Sequence, residues 1–170
     1  MPRRMIYAVD VDVPAAQMYA DFTAIDYWQD LVEHYRENAI RTEIAHFHTG
    51  EDGTDISFAH LLSGEDLPAI ARPVISGTFV VTRVQHFDPF CVSSNTAAGR
   101  YRAEIKAPID VAGSYLLADT DGGSQMRMET ECRARVPLIG GQMEQMLLAG
   151  LKTLFAREGE FTADWLAAHH

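Results

Sequence analysis

Residues 124–168 read SQMRMETECRARVPLIGGQMEQMLLAGLKTLFAREGEFTADWLAA, and two periods meet in them. Over 124–136 the repeat is two. Gln125, Arg127, Glu129, Glu131, Arg133 and Arg135 share one face, and Met126, Met128, Thr130, Cys132, Ala134 and Val136 share the other. One wet face and one apolar face mark a strand of an antiparallel sheet. Pro137 and Gly140-Gly141 then stop the strand. Over about 141–168 the repeat is helical. Met143, Met146, Leu147, Gly150, Leu151, Leu154, Phe161 and Trp165 recur at i, i+3, i+4 as one stripe, and Glu158 falls on the same stripe. A half-wet sheet must cover its other face, and this long helix is the expected cover.

Working outward, the period of two returns at 4–13, 40–48, 55–62, 76–87, 100–107 and 110–119. TDGG joins the last of these to 124–136 as a hairpin turn. After the first strand, Pro14 suits the first turn of a short helix over AAQMYADF. Asp26, with Gln29 three residues on, predicts the N-cap of a second helix at about 27–38, whose Trp28, Leu31, Val32 and Tyr35 share one side. Residues 63–73 read as a longer connection, expected to be a mobile flap, and DPFCVSSNTAAG (88–99) yields no assignment. The expectation is an α+β chain: seven antiparallel strands, two short helices after the first strand and a long C-terminal helix. A strongly curved sheet around one helix tends to leave space between them.

At 170 residues the chain is of single-domain size, with 47% hydrophobic and 22% charged residues. Fourteen Lys and Arg stand against 24 Asp and Glu, a formal charge of -10, which disfavours nucleic acid and anionic membrane surfaces as partners. Arg3 and Arg4 precede too short an apolar run for a signal peptide, and Asp10 and Asp12 interrupt it. No run reaches the ~18 apolar residues of a membrane span. Two cysteines, Cys91 and Cys132, make no disulfide framework. The expectation is a cytoplasmic protein without integral membrane association.

Histidines are the most informative candidates. Alternation sets His46 and His48 opposite Arg41 and Glu43, puts His60 with Ile56 and Phe58, and groups His86 with Val80, Thr82 and Val84. Read as inward faces, these place up to four imidazoles toward the interior, with His46 and His60 as diagonal neighbours across a turn near Asp52. Three readings stay open. The rings are half exposed and satisfied by water or backbone, they form the polar end of an apolar cavity, or the H-x-H pair begins a metal site. No carboxylate or thiolate completes such a site in sequence, so no metal is expected. Glu158, on an apolar face, either reaches solvent or has a raised pKa suited to acid–base work. No G-x-S-x-G, phosphate loop or C-x-x-C occurs, and no cofactor is expected.

The element order, DVPAAQMY before DYWQDL, and VPLIGGQMEQM running into the last helix resemble the START-like, or helix-grip, superfamily. That superfamily includes polyketide cyclase/dehydrase-like and lipid-transfer proteins, and the nearest likeness is to an uncharacterised branch typical of actinobacteria. The resemblance spans the whole chain and implies one START-like domain over residues 1–170. It also implies a seven-stranded sheet gripping the last helix and an internal cavity for an apolar guest. It transfers no catalytic residue.

The expected function is therefore a non-enzymatic binding or carrier protein for a small hydrophobic or amphipathic ligand, lipid- or polyketide-like. Tyr101, Tyr115, Met128, Leu147 and Leu154 are its expected apolar walls, beside Phe58 and Gly150. His46, His60 or His86 supply polar contacts, with Glu158 on the helix stripe. The alternative is a cyclase, dehydratase or hydrolase using His46, His60 or Glu158 as general acid or base. A protein-interaction module is a third possibility, set against the charged outer sheet face. Monomer and dimer both remain open.

Overall fold

Every second residue of Gly123–Ala134 is buried, as its alternation requires, and the strand lies one place in from the edge of a seven-stranded sheet. The computed structural model describes residues 1–170. In chain order the elements are β1 (Arg3–Val11), α1 (Ala15–Phe22), α2 (Ile25–Glu37), β2 (Arg41–Gly50), β3 (Gly53–Ser63), β4 (Thr78–Phe87), β5 (Thr96–Glu104), β6 (Ile109–Thr120), β7 (Gly123–Ala134) and α3 (Gly140–His169). All ladders are antiparallel, in the order β1-β7-β6-β5-β4-β3-β2. Consecutive strands pair as a meander, and β1 alone crosses over to pair with β7, Met5 opposite Thr130. This is the α+β order that the periods imply and the helix-grip architecture that the resemblance implies, with α3 packed across the inner face on β1 and β7.

α1 and α2 close one end. Trp28 donates its indole N–H to the Phe22 carbonyl at 2.8 Å. Tyr27 meets Thr162 at 2.8 Å, and Trp165 donates to Asp30 at 2.8 Å, so α2 is tied to the far half of α3. At the other end Glu144 anchors the entry to α3, its carboxylate accepting the Ala134 N–H at 2.9 Å. The buried apolar residues form two clusters, one around Phe22, Trp28, Phe58, Tyr115 and Phe155, the other around Ile75, Ile109, Cys132 and Met143.

Four local expectations are corrected. α2 starts at Ile25 after the extended Ala24, with no side-chain cap, so Asp26 sits inside the first turn. A two-residue link from α1 leaves no space for a capping box, and Asp26 instead faces the positive end of the helix. β5 begins at Thr96, four residues before the clean alternation, and follows a loop in which Asn95 takes φ 52°. The connection after β3 is folded rather than a loose flap. Ser63 and Asp66 form a capping box, Gly64 N–H donates to the Gly77 carbonyl at 2.7 Å, and Ala71 and Ile75 are buried. Finally, β2 carries a bulge at Ala45, between Ile44 opposite Phe58 and His46 opposite Ser57. One extra residue turns everything beyond it to the other face.

Gly113 gives Tyr101 its place. The two are opposed across β5 and β6, and a Cβ on Gly113 would collide with the Tyr101 ring and the Glu129 carbonyl. The ring lies over the glycine and its hydroxyl meets Thr130 on β7. Gly113→Ala is expected to cost about 1–3 kcal/mol, the usual penalty for overfilling a packed site. Urea unfolding checks it, and an unchanged midpoint would mean the ring moves aside freely.

Candidate functional site

The inner face of the sheet and α3 do not meet everywhere. Between them lies a cavity of about 330 Å³. Met146, Leu147, Gly150, Leu151 and Leu154 of α3 form one wall, and Leu62, Phe79, Val81, Ala103, Ile109 and Val111 form the sheet side. The folded connection supplies a roof of Leu67, Pro68 and Ile75. Its polar lining is sparse: His60, Tyr35 and Asp66. Burial, with the Arg83 charge nearby, holds the His60 imidazole down at about 4, so it is neutral at pH 7. Its Nδ1 is 2.9 Å from the Thr42 hydroxyl, and the Tyr35 ring packs edge-on at 5.0 Å.

One layer further along the helix is a second, smaller chamber of about 60 Å³. Its walls are mainly apolar as well, but it holds a buried pair of ionisable side chains. Arg83, Gln85, Tyr115, Glu158 and Thr162 line it, together with Tyr27, Met126, Met128 and Phe155. Arg83 Nη1 lies 2.8 Å from Glu158 Oε1, and the guanidinium stands over the Phe58 ring at 5.3 Å. The contact is close but off axis, and neither atom has a hydrogen-bond partner. Burial pushes the Glu158 carboxyl up to about 8. The misaligned guanidinium opposes that shift without cancelling it. The tyrosines Tyr27 and Tyr115 are raised as well, chiefly by burial.

The two spaces are neighbours. Val81 and Arg83, successive inward residues of β4, open one onto each, as do Leu154 and Glu158 one turn apart on α3. Phe58, Tyr101 and Phe155 are packed between them: Phe58 is 6.1 Å from the His60 ring, and Tyr101 and Phe155 meet edge-on at 6.1 Å.

Residues 7–166 match the family model described as "Protein of unknown function (DUF2505)". The chain belongs to this family. Among its relatives are uncharacterized proteins of Mycobacterium tuberculosis and Mycobacterium bovis, each 24% identical over 98% of both chains. Solved structures of the same fold include the Zhui aromatase/cyclase of Streptomyces sp. R1128 (TM-score 0.59, 15% identity, 96% of this chain and 93% of that one). Ara h 8.0201 matches at TM-score 0.56 and 16% identity, over 96% and 99% of the two chains. Norcoclaurine synthase of Thalictrum flavum matches at 0.53 and 9%, over 100% and 89%. The chain therefore shares the helix-grip fold of these structures.

The eleven residues expected at the site divide four ways. His60, Leu147, Gly150 and Leu154 line the larger cavity, and Tyr115, Met128 and Glu158 the smaller one. Phe58 and Tyr101 stand in the layer between. His46 and His86 do not belong with them. The bulge at Ala45 turns His46 and His48 outward, where both are exposed, and puts Phe47 inside. His86 is on the outer face as well, held by Asp55 at 2.7 Å and Asp88 at 3.2 Å. On β4 the face read as inward, Val80, Thr82, Val84 and His86, is the outer one, and Phe79, Val81, Arg83, Gln85 and Phe87 point in. Arg83 and Gln85 were thus missed. The signal was the register: Arg83 stands opposite Phe58, and residues opposed in a ladder share a face. No helix is long and apolar enough to cross a membrane, and no three His, Cys, Asp or Glu residues are grouped to hold a metal ion.

Proposed function

We propose that the protein binds a small hydrophobic or amphipathic molecule, lipid- or polyketide-like, between the sheet and α3. The observation that carries this reading is the 330 Å³ cavity, walled almost wholly by aliphatic side chains and roofed by an ordered connection. Burial of an apolar guest there contributes about 25 cal/mol per Å² before ordering costs. Gly150 lines this cavity, and a Cβ there would meet nothing within 4 Å.

A neutral fluorescent probe, N-phenyl-1-naphthylamine, tests the reading. Enhanced emission is expected with the wild type, together with a higher Tm, since a ligand at a hundred times Kd adds about 2.7 kcal/mol. Gly150→Leu is expected to fill the space and abolish probe binding while the protein stays folded. Gly150→Ala, which leaves most of the space, is expected to keep binding and gain about 0.5–1 kcal/mol from helix propensity alone. Probe binding that survives Gly150→Leu unchanged would remove the cavity from the argument.

A second reading, catalysis on such a guest, draws on one observation. Glu158 and His60 are pushed in opposite directions by burial, an acid held protonated and a base held neutral. A cyclase, dehydratase or hydrolase would use either as general acid or base. Turnover lost in Glu158→Gln or His60→Asn variants that still bind the guest is the result that selects it.

A further inference from the structure

The small chamber has more donors than its own residues can use. Arg83 Nε and Nη1 and Gln85 Nε2 are buried without partners, as is Glu158 Oε1. The Tyr115 hydroxyl donates to Gln85 Oε1 at 2.6 Å, which fixes the amide with Nε2 free. The Thr162 hydroxyl is already engaged, donating to the Glu158 carbonyl at 2.7 Å and close to Tyr27 at 2.8 Å. A buried donor without an acceptor is costly, and a guanidinium more so. Three donor nitrogens from two side chains therefore line a void whose one free acceptor, Glu158 Oε1, lies off axis to Arg83 Nη1.

We propose that this chamber is the head-group site for an amphipathic monocarboxylate, with Arg83 and Gln85 holding the carboxylate and Glu158 meeting it as the neutral acid. The proposal rests on the binding reading above and names the polar end of its ligand. The planar fork of arginine matches a carboxylate. One buried cation balances one negative charge, so a doubly charged phosphate is disfavoured. Charge also dictates the state of Glu158. With its carboxyl ionised, Arg83 is already balanced and a second carboxylate would leave a net buried negative charge. With its proton on, Glu158 donates to the ligand and the site is neutral. The other elements facing this carboxyl bring no competing charge. Tyr27 from α2 and Tyr115 from β6 are kept protonated by burial, and β1, β7 and α1 present Val9, Met126, Met128, Met18 and Phe22. His60 on β3 lies beyond Phe58 and is neutral at pH 7. The chamber admits a head group only. To reach the adjoining 330 Å³ cavity the ligand's chain must part the packed layer of Phe58 and Phe155, both buried.

Calorimetric titration with decanoate and with decan-1-ol separates head group from tail. At pH 7 decanoate is expected to bind at least about tenfold tighter than the alcohol, the worth of one charge-assisted contact. Arg83→Met is expected to erase that preference and leave decanol binding as it was. Above pH 8, where Glu158 loses its proton, decanoate affinity is expected to fall about tenfold per pH unit, and Glu158→Gln to abolish the fall. If Arg83→Met does not fold, Arg83→Met/Glu158→Gln removes both charges and carries the same test. Equal affinity for acid and alcohol, or indifference to Arg83→Met, overturns the head-group site even when the naphthylamine probe still reports an open cavity. Failure of the probe as well removes the cavity reading with it.

Discussion

Phe155→Ala is expected to lower the stability of the protein by about 3–5 kcal/mol and to open the two internal spaces into one. Phe155 is 1% exposed and packs against Tyr7 at 6.3 Å and Tyr101 at 6.1 Å. It is the one α3 residue in the layer that parts the larger cavity from the smaller chamber. Truncation removes the buried ring and leaves a hole that neighbours on a stiff sheet cannot fill. Urea denaturation gives the cost. The second half of the prediction is read from ligand size: the variant is expected to accept bulkier apolar probes than the wild type. A loss below about 1 kcal/mol with unchanged ligand range would mean that α3 settles onto the sheet and closes the gap.

The second large effect is the response of stability to pH. Glu158 has a carboxyl held at about 8 in the fold, against an ordinary 4.5. Between those values the folded state binds more protons than the unfolded one, so stability falls as pH rises. His60 works in the other direction. Its imidazole is held at about 4, against 6.5, so stability falls as pH drops through that window. From 4.5 to 6.5 the two slopes oppose each other, and above 6.5 the Glu158 slope is left alone. The stability of Glu158→Gln relative to wild type is therefore expected to grow from pH 5 to 8, at a slope approaching about 1.4 kcal/mol per pH unit. Chemical denaturation across that range measures the difference. Parallel curves would show that Arg83 keeps the carboxyl ionised, and the chamber would then be an ordinary buried ion pair.

Much of this architecture is readable in the chain because periods and breakers report local geometry. The alternation of 124–136, the Pro137–Gly141 break and the stripe of α3 place the covering helix on the sheet without any tertiary information. Glu158 is found in the same way, by its phase on that stripe. What is not readable depends on relations between strands. β4 carries apolar residues at both parities, so TFVVTRVQHF cannot declare its inner face, and two polar residues there read as solvent-facing. The ladder with β3 decides, and the folded connection of residues 64–77 hides that register from any turn rule. The bulge at Ala45 is of the same kind. Nothing in TEIAHFH marks an extra residue, yet it moves His46 and His48 outside and Phe47 inside.

The crossover of β1 sets a timetable for the nascent molecule. Arg4 and its partner Glu131 stand 127 positions apart in the chain, and α3 is made later still. On a ribosome adding roughly 5–20 residues per second, the first strand waits for seconds without its neighbour, and the meander waits longer for the rod that covers it. Closing so long a loop makes assembly slow compared with helical proteins of the same length. Until the final helix docks, the concave side of the sheet stays open to water, to chaperones and to any oily molecule nearby.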